Sequence, residues 1–98
     1  MKVIRVKAMD DCLDRVATKE FTFSNAATQD WIRSLEALGE LEYYGHFPRP
    51  FYRLTAKGEF IIKGVEGNDK CQVVFLDYTE EAESSLMGKL NRLGDSKP

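Results

Sequence analysis

The chain has 98 residues, 43% hydrophobic and 31% charged, with a net charge of -2. That suffices for one compact domain around one core but not for two, and the acidic balance excludes a whole-surface attraction to nucleic acid or anionic lipid, leaving only a local one. No apolar run exceeds "VVFL", residues 73 to 76, so a transmembrane helix is excluded.

The first stretch, "KVIRVKA", residues 2 to 8, mixes Val3, Ile4 and Val6 with charged neighbours in the manner of a strand with one wet face. Residues 9 to 17 stay open between a short helix and a turn: Met9, Cys12, Leu13 and Val16 share a helical face, while Asp10 and Asp11 suit a turn. "EFTFS", residues 20 to 24, reads as a strand on β propensity. A helix over 25 to 38 follows, with Ser24 or Asn25 as N-cap and Ala27, Trp31, Leu35 and Leu38 on one stripe. Gly39 ends it as an expected left-handed residue.

Four β segments come next: "ELEYYG", "FYRLTA", "EFIIKGVE" and "KCQVVFLD". The breaks "HFPRP", "KG" and "GND" are short and rich in turn residues, so consecutive strands should pair antiparallel. The last helix begins at a capping box of Asp77 and Glu80, with Thr79 as a rival cap. It buries Ala82, Leu86, Leu90 and Leu93 and stops at Gly94. Its acidic start and basic end complement the helix dipole.

The expected fold class is therefore α+β: an antiparallel β-meander sheet packed against two α-helices, in the order strand, strand, helix, four strands, helix. Residues 1 to 94 form one domain and 95 to 98 a polar tail. This element order resembles the helix-grip arrangement at the level of topology. That resemblance implies binding of nucleic acid, lipid or another small ligand without selecting among them.

Enzyme signatures are scarce. The lone His46 lies 34 residues from Cys12 and 25 from Cys71, which matches no metal-ligand spacing, and neither cysteine has a patterned catalytic partner. Asp10, Asp11 and Asp14 lack the glycine and terminal glutamate of a calcium loop and read as a solvated turn. The reading is non-enzymatic, with no catalytic residue, metal or cofactor. With two unpatterned cysteines and no apolar signal core in "MKVIRVKAMDD", the expected thiols are free and the expected location is cytoplasmic.

One stretch stands apart. Residues 43 to 63 carry Arg49, Arg53, Lys57 and Lys63 against Glu59 alone, and six of the chain's 11 aromatics. Rings interleaved with cations suit protein hot spots or single-stranded nucleic acid; the alternative is that the rings face the core of the meander. Because strand neighbours point to opposite faces, Tyr43 and Tyr44 cannot both point inward, nor can Phe51 and Tyr52. The candidate binding residues are Tyr44, His46, Phe47, Arg49, Tyr52 and Arg53.

"SLEALGELEYY" followed by "YRLTAKG" also resembles the end of a winged helix-turn-helix domain, over residues 28 to 58. The resemblance implies a recognition helix over 25 to 38, a wing tip at "HFPRP" and Arg49 and Arg53 near phosphates. In that helix Asp30 and Glu36 stand against one Arg33. The expected function is a partner-binding domain acting through residues 43 to 53. A protein, or a second copy of the chain, is favoured over nucleic acid because an acidic first helix beside the cations would repel phosphates. The alternatives are a nucleic-acid-binding regulatory protein, winged-helix or sheet-based, and a small-ligand carrier.

Overall fold

The computed structural model describes residues 2 to 9 and 16 to 93. In them the period-two segments form one sheet of strands β1 (Val3–Ala8), β2 (Ala17–Phe23), β3 (Glu40–Tyr44), β4 (Phe51–Ala56), β5 (Phe60–Val65) and β6 (Lys70–Phe75). Helix α1 (Gln29–Ser34), continued by a 3₁₀ turn at Leu35–Ala37, and helix α2 (Glu80–Leu93) complete the α+β fold in the expected order. Every pairing is antiparallel, and the strand order is β1-β2-β6-β5-β4-β3. The meander thus runs from β3 to β6, and β2 closes against its far edge with β1 outermost.

β2 begins at Ala17, three residues before "EFTFS". Ala17 and Lys19 have low strand propensity alone, but β2 is bonded on both sides, by β1 and β6, and the two ladders decide its length. The open helix-or-turn reading of 9 to 17 falls mostly on residues 10 to 15, outside the described residues, as do Cys12 and the Asp10, Asp11 and Asp14 cluster. Val16 makes a single bridge and Ala17 is already strand.

The first helix is shorter than its stripe implies. Its cap is Thr28, whose Oγ1 accepts the Trp31 N–H at 3.2 Å. Ser24 and Asn25 are engaged elsewhere: Ser24 Oγ accepts the Lys2 N–H at 3.0 Å and donates to Asn25 Oδ1 at 3.0 Å. Ala27 is tied to the β5–β6 turn through Asn68 and Gly67, so residues 24 to 27 run across the sheet end before the helix can start. Gly39 is not left-handed. It is needed because a Cβ there would lie 3.0 Å from the Thr55 carbonyl carbon of β4. In α2 the rival cap prevails, with Thr79 Oγ1 accepting the Ala82 N–H at 2.9 Å. Gly94 and the tail lie outside the described residues.

The inward sheet face and both helices share one core. Phe21, Tyr52, Leu54, Ile62, Val73 and Phe75 from the strands meet Trp31, Ile32 and Leu35 from α1 and its 3₁₀ turn, and Leu86 and Leu90 from α2. Beyond this packing, α2 is tethered by Asn91 Oδ1, which accepts the Val3 N–H at 2.8 Å, and by the Lys19–Glu83 pair at 3.6 Å. Among the described residues, no helix is long and apolar enough to cross a membrane.

Cys71 is a free, buried thiol on the inward face, and burial pushes its pKa from 9.0 up to about 12. Burial also raises the Tyr52 phenol above its ordinary value. Each group is held neutral in the folded state. The linked stability is fully present below the unfolded pKa and is lost as pH rises through the folded one. Denaturant midpoints should therefore fall from pH 9 towards 12, more steeply for the native chain than for Cys71→Val. Equal slopes would put the thiol in water.

Candidate functional site

With both helices on the inward face, the opposite face of the sheet carries no helix among the described residues. Register fixes what it presents. Arg53 lies opposite Lys63 and Glu42, Lys63 opposite Gln72, Gln72 opposite Glu20, and Glu20 opposite Lys7, so these six form one row across the sheet. The neighbouring row opens with Tyr44, Phe51 and Val65.

At the β3–β4 end of that face, rings from the strands and from the turn at residues 45 to 50 form a continuous line. Tyr44 stacks on Phe51 at 4.6 Å between centroids, Phe47 lies 5.1 Å from Phe51, and His46 lies 4.5 Å from Phe47. Phe47 is 44% and Phe51 37% exposed, so the line is wet along much of its length. The Tyr44 hydroxyl donates to Glu42 Oε2 at 2.9 Å; that hydrogen bond, with some desolvation, raises its pKa. On the other parity Tyr43 donates to Glu66, which raises its pKa in the same way, and it lies 6.0 Å from the Arg33 guanidinium. The turn is held at its far end by the Glu66 N–H on the Pro50 carbonyl at 2.8 Å.

Tyr44, His46, Phe47 and Arg53 are thus brought to one surface, and Arg49 is exposed in the turn beside it. Tyr52 does not project onto it and reaches it only from beneath, where its phenol lies under Gly64 at the floor of a groove. It is 1% exposed on the inward face, its ring 6.2 Å from that of Trp31. Leu54 and Ala56 point inward, and strand alternation carries Tyr52 with them, leaving Phe51 and Arg53 outward. Adjacent strand residues cannot both project outward. Phe51 therefore takes the place expected of Tyr52, and the same parity rule in "EFIIKGVE" and "KCQVVFLD" identifies Lys63, Val65, Lys70 and Gln72 as further members.

This shallow groove of about 640 Å³ opens between the rings and the cations, walled by Tyr44, Phe51, Arg53, Lys63, Val65 and Gln72 and floored by Tyr52 and Gly64. A second, of about 260 Å³, shares Lys63, Val65 and Gln72 and extends the depression past Lys70 towards Glu20 and Met9. Charge is divided between the two sides. Outward strand positions hold five cations, Arg5, Lys7, Arg53, Lys63 and Lys70, against Glu20, Glu40 and Glu42. The helices with their 3₁₀ turn reverse this, with five carboxylates against three cations. The carboxylates of α1 and its 3₁₀ turn, Asp30 and Glu36, are therefore behind the sheet from Arg53 and Lys63, not beside them.

Among the described residues, no three His, Cys, Asp or Glu side chains gather closely enough to hold a metal ion. His46 is exposed in the turn, whereas Cys71 is buried on the inward face. No protein family matches the chain, and neither a curated protein nor a solved structure does.

Proposed function

We propose that this chain is a non-enzymatic binding module whose working surface is the helix-free face of the sheet, centred on the Tyr44, Phe47 and Phe51 rings and on Arg53 and Lys63. The observation that carries the reading is the coincidence, on one side of the molecule, of an exposed ring line, an excess of cations and an open groove of about 640 Å³. Exposed aromatics cost solvation unless something covers them, and Phe47 and Phe51, in contact with each other and continued by half-buried Tyr44, form a patch of the kind that marks interaction sites. Flat, rigid rings bury large area at little entropic cost.

Two earlier expectations are weaker alternatives. A winged-helix mode would present α1 and its 3₁₀ turn, whose Trp31 and Ile32 are committed to the core and whose exposed residues include Asp30 and Glu36. A small-ligand carrier of the helix-grip kind would use space between sheet and helices, where Phe21, Trp31, Tyr52 and Phe75 are packed.

The test is photocrosslinking in the cells that make the protein, with a photoreactive phenylalanine analogue at Phe47 or Lys63 on the sheet side, or at Glu81 on α2. Adducts should form from Phe47 and Lys63 and not from Glu81. Adducts from Glu81 alone, or from none of the three, would refute the assignment.

A further inference from the structure

Resting on that reading of the helix-free face, we infer that its occupant is a single-stranded nucleic acid, with bases stacked on the Tyr44, Phe51 and Phe47 line and phosphates paired with Arg53, Lys63 and Lys70. Charge complementarity carries this furthest. Arg53 and Lys63 are directly opposite each other on β4 and β5, an arrangement of like charges that destabilises a sheet, and Glu42, opposite Arg53 on β3, offsets it only in part because its carboxylate accepts from the Tyr44 hydroxyl. A bound polyanion removes that repulsion. Among the described residues neither the Arg53 nor the Lys63 side chain makes a hydrogen bond or an ion pair, and Lys70 pairs with the half-exposed Asp69 carboxylate at 3.5 Å, a contact weak enough to yield to a phosphate.

Rings and cations also share one trough. From Tyr44 on β3 to Lys70 on β6 the depression crosses three strand spacings, roughly 14 Å. A four-stranded sheet typically stacks two or three bases over such a surface. Duplex nucleic acid is disfavoured, because its bases are already stacked on each other and its phosphates would have to span the ring line. The Asp30 and Glu36 carboxylates that disfavour phosphates as partners from sequence lie on the far side of the sheet, with the sheet between them and the cations.

The experiment is a fluorescence titration of the whole chain with labelled oligothymidylate and oligouridylate of roughly ten nucleotides, a duplex of the same length, and inorganic polyphosphate. Three phosphate pairs on a single strand give a logarithmic salt slope of about -2, so affinity should fall roughly twentyfold between 50 and 200 mM salt. Phe47→Ala should weaken the single strands by roughly five- to 150-fold through lost stacking and leave polyphosphate unaffected. Phe47 sits in an exposed turn, so this variant keeps its fold. Arg53→Glu with Lys63→Glu should abolish binding, and Lys89→Glu on α2 should change it by less than about twofold. The inference is overturned if neither single strand binds at the lower salt, if duplex or polyphosphate binds as tightly, or if Phe47→Ala and the charge reversals leave affinity unchanged. Its failure is separable from that of the surface assignment. Titrations that fail while Phe47 adducts form in cells and are destroyed by protease remove the nucleic acid and keep the surface, with a protein or a second copy of the chain as occupant.

Discussion

Trp31→Ala lowers stability by roughly 3 to 5 kcal/mol or prevents folding. Trp31 is 7% exposed, packed edge-on to Phe23 at 5.0 Å and to Tyr52 at 6.2 Å, and it is the largest side chain joining α1 to the sheet. A helix of six residues has little stability of its own, so losing its main anchor frees the whole segment. The indole Nε1 has no hydrogen-bond partner among the described residues, which makes volume the chief loss. Trp31→Phe should therefore cost much less than Trp31→Ala. Urea unfolding of the two variants checks this. A mild alanine variant, together with red-shifted native fluorescence, would place the ring outside and reverse the orientation of α1.

Gly64→Val is expected to cost roughly 1 to 3 kcal/mol or more, although it replaces the poorest strand former with a good one. The Tyr52 ring lies across Gly64, its cross-strand partner, and a Cβ at Gly64 would stand 2.6 Å from Tyr52 Cζ and 2.9 Å from Cε1. Neither ring nor strand can give way, since Tyr52 is enclosed on its other sides. Shortening the ring relieves the clash. In a Tyr52→Leu background, Gly64→Val should become nearly neutral, a coupling that a double-mutant cycle reads directly. Additive costs would show that the ring does not cover the glycine.

These two residues also show where sequence was sufficient and where it was not. Trp31 is legible because Ala27, Leu35 and Leu38 repeat at helical spacing around it, and that pattern survives even though only six residues are α-helical. The meander is legible from its turn residues. The start of β2 and the true cap at Thr28 are not, because both depend on partners distant in sequence, β6 for the strand and Lys2 for the Ser24 hydroxyl. Tyr52 was readable in principle: with Leu54 and Ala56 inward, alternation sends it inward too. Composition alone groups it with Arg53, which the pleat separates to the other face. Lys63, Lys70 and Gln72 escape a local reading for a different reason, since only sheet register brings them beside Phe51 and Arg53. The division of charge between sheet and helices is likewise a property of the layers and is invisible in a net charge of -2.

The most direct measurement is digestion of the adduct captured from Phe47 in cells. If the helix-free face binds a single strand, the mass-shifted species collapses to the free chain with nuclease, resists brief partner-directed proteolysis, and disappears in the Arg53→Glu, Lys63→Glu variant. An absence of adducts at Phe47 and Lys63, with capture from Glu81 on α2 instead, would contradict it and move the working surface to the helical side.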